Sequence, residues 1–126
     1  MVLTPGLSAS VEHVVGDSDT SIALGSGDVP VLGTPRLLAL AEEATVAAVA
    51  DALEPGSSTV GYRVALEHRS PTAVGEQVRA EAVLAEVDGR NLVFHVAVSD
   101  GTGPVADATI TRVVVDRTAF LKRLAR

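Results

Sequence analysis

The chain has 126 residues, 47% of them hydrophobic, and no cysteine, which suits one domain with its own core and excludes disulfides, thiolate metal sites and a cysteine nucleophile. Only 2% of residues are aromatic, so part of an Ala- and Val-rich apolar surface is expected to be covered by self-association. The formal net charge of −6 disfavours nonspecific nucleic-acid binding, which needs phosphate-neutralising Lys and Arg. The opening MVLTPGLSASVEHVV has no basic segment ahead of an apolar core, and no run approaches the ~20 apolar residues of a membrane span. A cytoplasmic protein with no membrane partner is expected.

Residues 8–15 alternate loosely and read as a first strand, with Val11, His13 and Val15 on one side. Nothing nearby in sequence pairs with His13, which reads as a strand residue at a surface or seam. Residues 16–33 are rich in Gly, Asp and Ser, with Pro30, and read as a long loop able to line or cover a pocket. A central helix is expected over 34–54. Thr34 suits its N-cap and Pro35 its first turn, and Glu54-Pro55-Gly56 stops it. At ~100° per residue, Glu43 shares a solvated stripe with Arg36, Asp51 and Glu54. Glu42 falls instead among Pro35, Leu38, Val46, Val49 and Leu53, with Thr45 at the edge. An unpaired carboxylate is costly to bury, so Glu42 is either a functional acid or an acid at a subunit seam.

The sheet is expected over residues 59–116. TVGYRVALEH, Thr59 to His68, alternates Val60, Tyr62, Val64, Leu66 and His68 with Thr59, Gly61, Arg63, Ala65 and Glu67. His68 ends the apolar row before Arg69-Ser70-Pro71 breaks the strand, and taken alone it reads as a core-edge histidine. Gln77 to Val87 is the next strand, and Asp88-Gly89 marks a tight turn. Asn91 to Ser99 returns with His95 half exposed, and Pro104 to Val115 follows the turn at 100–103. Asp116 can cap a short terminal helix over 117–126. Strand, long helix, then four strands with short connections give an α+β domain spanning 1–126, in which an antiparallel sheet of about five strands wraps one central helix. This is the hotdog fold. Its single-layer sheet leaves one side needing cover, so a homodimer at least is expected.

Thr34 ahead of the helix, Glu42 within it, LEPG at Leu53 to Gly56, Gly61, His68 and RVVVDRTAF at Arg112 to Phe120 are together similar to the fluoroacetyl-CoA thioesterase-like family of hotdog proteins. The resemblance runs from about Val31 to the C-terminus. It implies that Thr34, Glu42 and His68 form a catalytic set hydrolysing an acyl-CoA thioester, with no cofactor beyond the CoA of the substrate. It also places Gly61 beside the acyl group, where a missing side chain permits close approach.

These residue types suit the reaction. Backbone N–H groups near Gly33 and Thr34 can hold the charge that develops on the thioester oxygen. Glu42 can be a base for water or a nucleophile forming a transient anhydride. His68 can orient and charge-balance Glu42 or carry a proton to the leaving thiolate. Thr34 can donate to Glu42 or the substrate, or act as nucleophile with His68. The positioning role is preferred, because the hydroxyl has a rival use as N-cap.

Where fluoroacetyl-selective members carry a gate of aromatic residues, this chain has Gly25-Ser26-Gly27-Asp28-Val29-Pro30. A different small or medium acyl group is therefore expected. The alternative is a non-catalytic hotdog module binding acyl-CoA or a related ligand. A hotdog hydratase is disfavoured, since the helix carries no Asp and His pair. For CoA phosphates the candidates are Arg69 and Arg112, while Arg63 fits a solvated row with Glu67. Arg112 alternates with Ala108 and Ile110, which suggests an inward or seam position. No metal site is expected, because the three histidines lie on separate strands without a ligand cluster.

Overall fold

Five strands form one sheet in the computed structural model, which describes residues 2–125. They are β1 (Ser8–Val14), β2 (Ser57–His68), β3 (Gln77–Asp88), β4 (Asn91–Asp100) and β5 (Gly103–Asp116), ordered β1-β3-β4-β5-β2 with every neighbouring pair antiparallel. Met1 and Arg126, the ends of the expected domain and terminal helix, lie outside the described residues. Tight turns make β3, β4 and β5 a meander. β1 adds to one side of it and β2 to the other, so β2 is an edge strand. No helix among the described residues is long and apolar enough to cross a membrane.

Three helices accompany the sheet: α1 (Ser21–Leu24), α2 (Thr34–Val49) and α3 (Arg117–Lys122). α2 supplies one wall of the core. It buries Leu37, Leu40, Ala41, Ala44, Thr45, Ala48 and Val49 against Leu84, Leu92, Phe94 and Ile110 of the sheet. Each fully buried Leu or Phe contributes about 2 kcal/mol of transfer free energy. The helix alanines let helix and sheet approach without voids. α2 packs mainly against β1 and β3 and only lightly against β2. The helix side facing β2 is therefore left partly open, with Leu38 and Glu42 half buried and Val46 45% exposed.

The structure departs from the sequence reading in four places. Helical winding ends earlier than residue 54: α2 stops at Val49, a 3-10 turn continues over Ala50–Ala52, and Leu53 is already extended. Residues 16–33 are not a plain loop. They hold a 3-10 turn at Asp17–Asp19, then α1, and bridges Thr20↔Leu32 and Val31↔Ala73 tie the segment down. The N-cap of α2 is Gly33 rather than Thr34. Finally, strict alternation along β2 fails at Tyr62, where a bulge between Gly61 and Arg63 shifts the register against β5. Gly61 is paired with Arg112, Val64 with Ile110 and His68 with Ala106. All three partners are buried. One extra residue thus puts Thr59 and Gly61 on the same face as Val64, Leu66 and His68, whereas alternation had separated them.

Candidate active site

The start of α2 is built on a glycine for reasons of space. A Cβ at Gly33 would stand 2.8 Å from Leu24 Cδ1 and 3.2 Å from the Ser21 nitrogen. The Gly33 carbonyl accepts from Arg36 and Leu37, and its N–H donates to the Asp19 carbonyl. With the capping position taken by Gly33, the Thr34 hydroxyl is released from that duty. It shares a 2.8 Å hydrogen bond with His68 Nδ1 instead. The tautomer of His68 decides which atom donates. The other ring nitrogen, Nε2, is buried and has no hydrogen-bond partner among the described residues. As the first helical residue, Thr34 also carries an N–H with no carbonyl a turn earlier to receive it.

Two turns further along α2, Glu42 faces the start of β2. Its side chain is 36% exposed, and Oε2 lies 3.4 Å from Arg112 Nη1. Arg112 is itself buried and anchored on Thr59, with Nε donating to Oγ1 at 2.9 Å and Nη2 to the carbonyl at 3.0 Å. Burial lowers the Arg112 guanidinium from its usual value, and the Glu42 charge opposes that shift. Gly61 completes the group: a Cβ there would stand 2.7 Å from Glu42 Oε2. The acid therefore reaches the strand across a missing side chain. Thr59 was not singled out by the sequence, and only the bulge at Tyr62 turns it inward.

A third cluster braces the helix start. Asp19 accepts from the Gly16 N–H at 2.8 Å and from Arg36 Nε at 2.9 Å, and it bonds His13 Nε2 at 2.7 Å. Burial pushes the Asp19 carboxyl up, but the hydrogen bonds from Gly16, His13 and Arg36 outweigh it and hold the pKa at about 2. Two expectations are corrected here. His13 does have a near neighbour as partner, and Arg36 is an ion-pair residue rather than part of a solvated stripe. Sequence periodicity carried no sign of either, because both depend on how residues 16–20 turn back.

Arg69 lies apart from these groups. Its exposed guanidinium pairs with Asp107 and, at 3.4 Å, with Glu67. Among the described residues no three His, Asp or Glu side chains gather where they hold a metal ion.

Within one chain the site residues form two groups rather than one. Thr34 and His68 are bonded, and Glu42, Arg112 and Gly61 are in contact. His68 is not the partner of Glu42. Eight helical residues separate Thr34 from Glu42, which is about 12 Å along the axis. One end offers a hydroxyl, an imidazole and a helix N-terminus, and the other a fixed carboxylate beside an open strand.

A long helix cradled by a curved antiparallel sheet is the hotdog architecture. A hot-dog-like protein from Thermanaerovibrio acidaminovorans shares it, with TM-score 0.89 at 24% identity over 97% of this chain and 90% of that one. The family model described as fluoroacetyl-CoA-specific thioesterase matches residues 15–118, and the chain belongs to that family. A fluoroacetyl-CoA thioesterase from Streptantibioticus cattleyicolor is 33% identical over 90 residues, a stretch covering 71% of this chain and 65% of that protein's length. A mutant of the fluoroacetyl-CoA-specific thioesterase solved in complex with fluoroacetate and CoA superposes with TM-score 0.87 at 28% identity, covering 94% of this chain and 99% of that one.

Proposed function

We propose that this protein hydrolyses a small or medium acyl-CoA to the free acid and CoA, in a site completed by a second copy of the chain. The observation that carries the reading is the pair of incomplete groups. Thr34 with His68, and Glu42 with Gly61, are the residue types thioester hydrolysis needs, yet they stand about 12 Å apart along one helix. β2 is an edge strand whose outer backbone groups are open to pairing with another strand. Two copies joined antiparallel along β2 set the Ser57 end of one strand against the His68 end of the other. Each Glu42–Gly61 group then approaches the partner's Thr34 and His68. Family membership and the CoA-bound relative support the substrate class.

In this arrangement water attacks the thioester carbonyl carbon while Glu42 accepts its proton. The charge forming on oxygen meets the partner's helix start, with the N–H of Thr34 and the helix dipole. Collapse of the intermediate breaks the C–S bond, and the departing thiolate takes a proton from the partner's His68, which recovers it from Glu42, so that both groups return to their starting state. Glu42 acting as the nucleophile gives the same products through an anhydride that water then opens. Arg112 holds the carboxylate in place, and Thr34 orients the imidazole. Residues 25–30 carry no aromatic side chain, so selection of a fluorinated acetyl group forms no part of this reading.

Thiol release measured over acyl-CoAs of graded length tests it. At least one ester should turn over, and Glu42→Gln should reduce kcat by about 10³-fold or more, roughly 4 kcal/mol of transition-state stabilisation. Tight binding of acyl-CoA by the wild type with no turnover across the panel shows a binding module instead. Unchanged turnover by Glu42→Gln refutes the role given to that residue.

A further inference from the structure

Thr34 and His68 sit on elements that meet only lightly, the start of α2 and the end of β2. Their 2.8 Å hydrogen bond therefore depends on the segments leading into the helix and out of the strand. Those segments are stitched together. The Leu32 N–H donates to the Thr72 carbonyl at 2.9 Å, and Val31 bridges to Ala73. Leu32 stands two residues before Thr34, and Thr72 four residues after His68. The stitch thus sets how the hydroxyl and the imidazole meet, and with them the direction of His68 Nε2, which has no partner among the described residues.

Thr72 is the fixed point of this stitch. Its side chain is fully buried, out of reach of a substrate, and its hydroxyl donates to Asp100 Oδ2 at 2.7 Å. Asp100 is held in turn by the turn between β4 and β5, where Oδ1 accepts from the Thr102 N–H at 2.8 Å and from the Thr102 hydroxyl at 2.6 Å. Burial pushes the Asp100 carboxyl up, but the hydrogen bonds from Thr102 and Thr72 outweigh it and keep it below its ordinary value. Thr72 therefore donates to a carboxylate, and such charge-assisted bonds are about twice as strong as neutral ones. Nearer to His68, the Arg69 and Ser70 N–H groups both donate to the Val105 carbonyl, so the stretch from His68 to Thr72 has little freedom. Neither Thr72 nor Asp100 takes part in the bond-making steps above.

We propose that Thr72, held by Asp100, is a positioning residue for the Thr34–His68 pair, an inference that rests on the acyl-CoA reading above. Without its hydroxyl the loop after β2 loosens, the stitch to Leu32 shifts, and the imidazole turns from Thr34. Reacting groups displaced by about 1 Å lose up to roughly a hundredfold in rate. Substrate affinity does not run through these atoms and stays.

Steady-state kinetics and ¹⁵N-edited spectra of the histidine rings test the assignment on the full chain. His68→Ala identifies the His68 signals, and Thr34→Val shows the ring freed from its bond. Thr72→Val should lower kcat about tenfold with KM within about twofold, and should move the His68 signals towards their positions in Thr34→Val. Thr72→Ser, which keeps the donor, should restore both. Asp100→Ala should lower kcat to the same extent, and adding Thr72→Val to it should lower kcat no further. A lower melting temperature with kcat and ring signals unchanged shows a structural brace only and overturns the assignment. A loss that Thr72→Ser does not recover overturns it too, since the hydroxyl is then not the cause. If the wild type turns over no acyl-CoA, that reading falls and the ring signals decide this one: unmoved in Thr72→Val they refute the positioning role, and shifted they keep it.

Discussion

Glu42 is held by what is absent as much as by what is present. The missing side chain at Gly61 leaves room for its carboxylate, and Arg112 pins it from the neighbouring strand. In Gly61→Ala the new methyl group would stand 2.7 Å from Glu42 Oε2 and 3.7 Å from Arg112 Nη1. The acid end must swing away, so kcat/KM should fall about tenfold, equivalent to ~1.4 kcal/mol, with the circular dichroism spectrum unchanged. Unchanged kcat/KM would show that this close approach is not needed. Arg112→Ala leaves Thr59 and Glu42 without their donor and should cost about 3 kcal/mol in urea unfolding. Glu42 stood out in the sequence as an acid on an apolar stripe. Its partner did not, because Arg112 lies 70 residues away along the chain and alternation shows only that it points inward.

At the scale of elements, the segment between β1 and α2 sets the helix start. Asp19 ties it to β1 through His13 and to α2 through Arg36, and its carbonyl receives the Gly33 N–H. The Asp19 carboxyl is lowered from 3.8 to about 2. The folded chain therefore binds fewer protons than the unfolded one in that interval. The stabilisation is fully present above the unfolded value and is lost as pH falls through the folded one. It amounts to about 2 kcal/mol at neutral pH. Thermal melts from pH 6 to pH 2 should show a steep acid limb in the wild type and a shallower one in Asp19→Asn, which also melts lower at neutral pH. Parallel curves for the two proteins would remove Asp19 from this role. Composition marked residues 16–33 as a loop and missed the 3-10 turn and α1 within them. It held no record of the path, since a loop's course is set by single polar contacts rather than by a repeating pattern.

Across the whole molecule, the sheet has two edge strands, β1 and β2, and β2 is the longer. Tyr62 at its bulge is 65% exposed, an uncommon position for the one tyrosine of a chain so poor in aromatics. Val64→Lys places a charge at the proposed seam. It should give a folded monomer in sedimentation, with activity lost. A mixing experiment decides whether the site is shared. If the proposed shared site holds, Glu42→Gln and His68→Ala should each be inactive as dimers, and exchange of subunits should restore one intact site in every mixed dimer. Since random exchange makes half of the dimers mixed, roughly a quarter of wild-type activity should return. No recovery after demonstrated exchange would place all the catalytic residues within one chain.

The order of elements, the strand limits to within a few residues, the antiparallel meander and the odd placement of Glu42 were all written in the sequence. Each follows from local periodicity, turn chemistry or the cost of burying a charge, and each is felt within a few neighbouring residues. Tertiary structure decided the rest. The bulge at Tyr62 brought Thr59 and Gly61 onto the face of Val64, Leu66 and His68, because one extra residue changes phase without changing composition. Steric crowding at Gly33 took over the N-cap and released Thr34 to His68. Arg112, anchored on Thr59, became the partner of Glu42. These contacts depend on distances across the fold, which a linear pattern does not carry.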